Sequence, residues 1–169
     1  MRDVHFEIER KYLIRRPSEE LLAATAEATQ ITQTYLLAQP GTTERVRKRG
    51  RGGRYTYTHT TKTRLSDLRR IEDEEELSAE AYAQLLTRAD PQRRIIEKTR
   101  WVFSYRGQVF ELDVFPFWKE QAFLEIEIEH EAQEVFLPPW IEVIREVTDD
   151  PRYTNAALSL SIPEERKQI

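Results

Sequence analysis

Cysteine is absent from the 169-residue chain, which excludes disulfides, thiolate nucleophiles and cysteine zinc sites. Histidine is scarce: His5, His59 and His130 are its three copies, too scattered for a metal-binding spacing and read as structural or solvated. No stretch approaches the roughly 18 consecutive apolar residues of a membrane span. The start Met1-Arg2-Asp3-Val4-His5-Phe6-Glu7 also lacks the apolar core of a signal peptide. No membrane partner and a cytoplasmic location are the resulting expectations. Nor does one charge dominate, since 26 basic and 30 acidic residues leave a formal net charge of -4. That balance argues against nucleic acid held by bulk electrostatics. Any metal must therefore be bound by carboxylates, and any anion by a local arrangement of cations.

What the chain does have is charge in quantity, 33% of its residues, beside 39% apolar ones. The length fits one domain over 1–169. Alternation with period two predicts antiparallel strands at Phe6 to Ile14, Thr34 to Gln39, around Arg45 to Arg49, Arg54 to Thr63, Arg70 to Leu77, Ile95 to Tyr105, Val109 to Phe115, Phe123 to Glu129 and Ile141 to Thr148. Helices are expected over Glu19 to Ala28, Ala79 to Arg88 (with Ser78 as N-cap), Glu131 to Phe136 and Asn155 to Leu160.

The faces of these strands carry the functional signal. A sheet with one wet face usually mixes its polar residues. Here like charges recur two apart: Glu7/Glu9, Arg45/Arg47, Glu72/Glu74, Lys98/Arg100, Glu111/Asp113 and Glu125/Glu127. Eight or so strands closing into a barrel would enclose room for side chains and one small ligand. The charged faces would line that lumen, while Ile8, Val46, Leu112, Val114, Ile126 and Ile128 face outward beneath helices. Dry burial of so many charges is prohibitive, so acids and bases must compensate each other or a ligand. Forked cations that grip phosphate, beside carboxylates that hold Mg2+ or Mn2+, imply a metal-polyphosphate ligand.

Glu7-Ile8-Glu9-Arg10-Lys11 resembles the ExExK signature of the CYTH superfamily, or triphosphate tunnel metalloenzymes. Arg45-Val46-Arg47, Lys62, Glu72-x-Glu74, Lys98-x-Arg100, Glu111-x-Asp113 and Glu125-x-Glu127 follow in that family's order. Glu146-Val147-Thr148, with Arg152-Tyr153 and Asn155 behind it, looks like the ending of bacterial members. The resemblance implies a mainly β (α+β) fold: an eight-stranded antiparallel β-barrel tunnel with a charged lumen and helices packed outside. It implies metal-dependent hydrolysis of a triphosphate, with two metal sites. Carried over, Arg45, Arg47, Lys62, Lys98 and Arg100 bind the triphosphate. Glu7, Glu9, Glu72, Glu74, Asp113, Glu125 and Glu127 bind metal or orient water, and Lys11, with Glu7 and Glu9, is catalytic. A homodimer is compatible with the resemblance. Glu111 and Glu146 fit the functional pattern less closely, and Glu76 and Glu129 read as lying beyond the working section.

The expected substrate is inorganic tripolyphosphate, because the charged faces offer no aromatic or amide set that would select a base. Alternatives are a class IV-type adenylate cyclase and a thiamine or nucleoside triphosphatase. A noncatalytic polyphosphate- or RNA-binding module is a third, suggested by the arginine-glycine run Arg45 to Arg54. A hairpin accounts for those glycines equally well. Trp101, Trp118 and Trp140 are read as packing residues.

Overall fold

A computed structural model describes residues 3–6, 8–65 and 70–165. Glu7 falls outside these. The elements, in order, are β1 (Asp3–Phe6), β2 (Glu9–Arg15), α1 (Glu19–Thr25), β3 (Glu27–Tyr35), β4 (Thr42–Arg51), β5 (Arg54–Arg64) and β6 (Arg70–Leu77). Then come α2 (Ala79–Leu85), β7 (Ile96–Tyr105), β8 (Gln108–Val114), β9 (Gln121–Glu127), β10 (Val143–Glu146) and α3 (Asn155–Leu158), with 3-10 turns at Leu86–Arg88 and Pro151–Tyr153. Ser18 and Ser78 cap α1 and α2 by accepting from the backbone N–H of Leu21 and Ala81. Gly52 and Gly53, at φ of 60° and 79°, form the two-residue hairpin turn between Arg51 and Arg54. The arginine-glycine run is thus two strands and their connection. No helix among the described residues is long and apolar enough to cross a membrane.

The ten strands of the described residues make one antiparallel sheet, ordered β1-β6-β5-β4-β3-β7-β8-β9-β2-β10. Laid flat, β1 and β2 would stand about 38 Å apart, given a strand spacing of about 4.8 Å. Yet Phe6 and Glu9 are joined through two residues, a reach of about 11 Å at most. The sheet must therefore curl back so that one segment of chain serves both of its ends.

It does so without closing, which corrects the expected eight-stranded barrel: there are ten strands and the order is open. The physical cause lies in the edges. β2 offers one edge to β9 and, from Tyr12 to Ile14, the other to β10, so along that stretch neither is left for β6. β6 pairs instead with β1. Other expectations shift as well. Ala26 is already extended, which ends α1 at Thr25, short of Ala28. β3 then begins at Glu27, well before the expected Thr34. The segment from Glu131 to Phe136 is a turn at Glu131 and Ala132 followed by irregular chain rather than a helix.

Apolar residues bury themselves in three places. The outer face of β2, β7, β8 and β9 contributes Tyr12, Ile14, Phe103, Phe110, Leu112, Val114, Leu124 and Ile126, covered by Leu22 of α1 and by Val135, Leu137 and Trp140. Outside β4, Val46 meets Leu36 and Tyr82 of α2. These two clusters match the expected outward-facing apolar rows, except Ile8, which is exposed. A third departs from expectation. Leu13, Tyr35, Ile96, Phe115 and Phe123 belong to the concave face, and Trp118, Val147, Tyr153 and Leu158 cover them. One end of the concave face is apolar instead of charged, so α3 plugs it from within rather than packing outside.

Leu158 is fully buried and Leu160 is 55% exposed. Leu158→Ala is expected to cost about 2–5 kcal/mol in urea denaturation, and Leu160→Ala less than about 0.5 kcal/mol. Equal effects would mean that α3 is not part of the core.

Candidate active site

Residues directly opposite in an antiparallel pair share a face, so register alone sorts the charges. Lys11 lies opposite Glu125, and Glu9 opposite Glu127. Across β8, Glu111 faces Glu125 and Asp113 faces Arg100. β3 carries the row onward: Thr29 opposes Arg100, Ile31 opposes Lys98, Gln33 opposes Arg47 and Tyr35 opposes Arg45. Arg45 then meets Thr60, Thr60 meets Glu74, and Lys62 meets Glu72. Every candidate site residue among those described falls on this one concave face; Glu7 alone lies outside the description.

At the centre, Asp113 is fully buried and accepts from Lys98 Nζ at 2.8 Å and from Arg100 Nε and Nη2 at 2.8 and 2.9 Å. Arg100 Nη1 also reaches Glu111 Oε2 at 2.9 Å, which brings Glu111 into the network. Lys11 Nζ lies 3.0 Å from Glu125 Oε1 and donates to the Tyr153 carbonyl at 3.1 Å. Lys98 Nζ reaches Asn155 Oδ1 at 3.4 Å. The plug therefore touches two of the buried cations. Toward β6, Glu72 lies 4.0 Å from both Arg45 and Lys62, and Thr60 donates to Glu74 at 2.9 Å.

Burial opposes every charge here, so the shifts show which charges are compensated. For Asp113, burial raises the pKa, but Lys98 and Arg100 outweigh it and hold the carboxyl well below the usual range. Burial likewise works against ionised Glu125, and Lys11 wins. The Lys11 ammonium ends above its ordinary value because Glu125 and Glu9 outweigh its burial. Burial works against Arg100 too, and Asp113 overcomes it to raise that group. Arg47 and Lys98 go the other way: burial, with neighbouring cations, pulls Arg47 down to about 9 and Lys98 to about 7 in spite of Asp113.

Among the described residues no three acidic or histidine side chains come together as metal ligands. The expected carboxylates are instead spread along the face. Asp113 has both oxygens taken by cations. The pair Glu9 and Glu127 sits directly opposite, a like-charge juxtaposition that a bound cation would relieve. Mg2+ keeps several waters and needs only one or two carboxylates plus substrate phosphates, so this donor set fits it. A cleft of about 620 Å³, lined by Glu111, Glu125 and Glu127, opens where β8 and β9 cease to pair.

Glu146 lies off the charged face, bonded to Arg10 at 2.6 Å. Gln33, buried on the face and bonded to Arg47, does not stand out in the sequence. Its signal is the alternation Thr29, Ile31, Gln33, Tyr35, faint because the intervening Gln30, Thr32 and Thr34 are polar too.

Since Asp113 stays ionised to lower pH when folded than when unfolded, its contribution is present above about pH 4 and lost as pH falls further. Asp113→Asn is expected to cost about 3–5 kcal/mol at pH 7, because it strips Lys98 and Arg100 of their buried counter-charge. It should also flatten the loss of stability below pH 4. Urea titrations across pH measure both, and an unchanged acid slope would contradict the assignment.

A CYTH domain family model matches residues 5–144. An inorganic triphosphatase of Nitrosomonas europaea is 37% identical over 162 residues, covering 93% of this chain and 99% of that one. One from Acetivibrio thermocellus is 31% identical over 153 residues, covering 90% and 92%. A crystal structure of an inorganic triphosphatase, 33% identical, covers 94% of this chain and 97% of its own with a TM-score of 0.60. With the family match spanning 5–144 and the relatives aligned nearly end to end, the chain belongs to the CYTH domain family.

Proposed function

We propose that this protein hydrolyses inorganic tripolyphosphate to pyrophosphate and phosphate with Mg2+ or Mn2+. The observation that carries the reading is the buried row of cations and carboxylates on one concave face, in a chain whose relatives are named inorganic triphosphatases. Arg45, Arg47, Lys62, Lys98 and Arg100 grip the phosphate chain. Glu9 and Glu127, with Glu7, would hold one metal ion and Glu72 with Glu74 a second, while Asp113 serves to fix Lys98 and Arg100. When bound, the metal screens charge on the attacked phosphoryl group and on the leaving pyrophosphate.

Lys11 remains an ammonium, which can donate to the attacking water but cannot take its proton. Glu125, 3.0 Å away, is fixed by Lys11 and orients that water. As water oxygen bonds to phosphorus, the phosphoanhydride P–O bond breaks, pyrophosphate leaves with the bridging oxygen, and the water's proton passes to a phosphoryl oxygen of the substrate. Phosphoryl transfer of this kind depends more on positioning and charge than on a strong base.

Tripolyphosphate ranks above nucleotides because the aromatic rings are either buried in the plug, as are Tyr35, Phe115 and Phe123, or turned to the other face. Tyr57 packs on Tyr82 at 4.7 Å between ring centroids, and Lys48 Nζ covers Tyr55 at 4.2 Å. Both tyrosines lie on the face opposite Lys62.

In assays at saturating metal, kcat/KM for tripolyphosphate is expected to exceed that for ATP and for thiamine triphosphate. An equal or higher value for either would overturn the substrate choice, and cyclic AMP as the main product from ATP would make the protein a cyclase. Chelator should abolish turnover. Glu127→Gln and Glu7→Gln should each lower kcat by about tenfold or more at limiting metal, with melting temperature nearly unchanged; wild-type rates in both would remove them from the site.

A further inference from the structure

Gln33 is fully buried in β3, opposite Arg47. Its amide oxygen accepts from Arg47 Nε at 2.9 Å and also from Nη2. A guanidinium carries donors only, so the atom facing it must be the carbonyl oxygen, and Nε2 points elsewhere. That Nε2 is buried with no hydrogen-bond partner among the described residues, as is Arg45 Nε. An unmet buried donor costs about 1–3 kcal/mol. Two of them flank one cation, since Arg45 lies two positions from Arg47 on the same face of β4.

The partner chosen for Arg47 is also informative. Arg100, Lys98 and Lys11 are met by carboxylates. Arg47 and Arg49 are met by neutral acceptors from β3, Gln33 Oε1 and Thr29 Oγ1. A carboxylate at position 33 would give a stronger, charge-assisted bond. It would also neutralise Arg47. An amide of the same shape fixes the guanidinium and leaves its charge unspent.

We propose that Gln33 is a positioning and specificity residue for the phosphate chain. It aims Arg47 without neutralising it, and its Nε2, together with Arg45 Nε, donates to oxygens of the phosphoryl group that Arg47 grips. The unesterified oxygens of a phosphoryl group supply the acceptors these donors lack. The inference rests on the triphosphatase reading above.

Gln33→Glu and Gln33→Met separate this role from a structural one. The first keeps the shape and adds charge; the second keeps the length and removes the amide. Tripolyphosphate binding is measured by calorimetry with chelator present, KM and kcat with Mg2+, and the melting temperature alongside. Gln33→Glu is expected to raise Kd and KM about tenfold or more with kcat changed less than about threefold, while the melting temperature holds or rises. Gln33→Met should raise both constants about threefold or more. A wild type that turns over tripolyphosphate beside variants whose Kd and KM stay within about twofold of it would overturn the inference alone. Variants that lose only melting temperature would overturn it in the same way. A wild type that neither binds nor hydrolyses tripolyphosphate would overturn the triphosphatase reading, and this inference with it.

Discussion

Asp113 accepts three hydrogen bonds from two buried cations, and the concave face can stay folded only because of such mutual compensation. Isolated ions in that position would each cost several kcal/mol. The constraint propagates outward from Asp113. Arg100 carries it to Glu111 and Glu125, and Glu125 to Lys11. Toward β4, compensation thins out: Arg47 and Arg49 have neutral partners. The face is therefore electrostatically uneven: carboxylates meet the cations of β7 and β2, whereas Arg47 and Arg49 of β4 have neutral partners.

Around this polar interior, hydrophobic burial is displaced outward and to one end. The sheet's convex side does what a core ordinarily does, with α1, α2 and the Val135–Ile141 stretch as its cover. At the plugged end, Phe115, Trp118, Phe123 and Tyr153 form edge-on and tilted ring contacts 5.1–6.3 Å apart. Geometry of that kind suits aromatic quadrupoles and seats the backbone of Tyr153 where its carbonyl meets Lys11. Packing and charge placement are thus coupled at the plug.

The sharing of a face is readable from the sequence because side-chain direction in a strand has period two. Glu9 with Lys11, or Lys98 with Arg100, needs no more than counting. Strand order is not readable that way. Nothing in the residues of β2 says that both its edges are taken, by partners more than a hundred positions away. The first half of β3 is hidden because helix-compatible Ala23, Ala24 and Ala26 run straight into it, and because both of its faces carry polar residues. The plug is hidden for another reason: Leu13, Ile96 and Phe123 share parity with charged neighbours, and parity does not say where along a strand the environment changes from wet to dry.

The strand β2 joins residues at the start of the chain to Glu125 and Glu146 near its other end. During synthesis at about 5–20 residues per second, Lys11 must wait roughly five to twenty seconds before Glu125 has been added to the chain. For that interval a strand bearing Tyr12, Leu13 and Ile14 has no partner for either edge. The nascent chain therefore carries an adhesive segment until those partners emerge, and the fold cannot be completed in the order in which it is made.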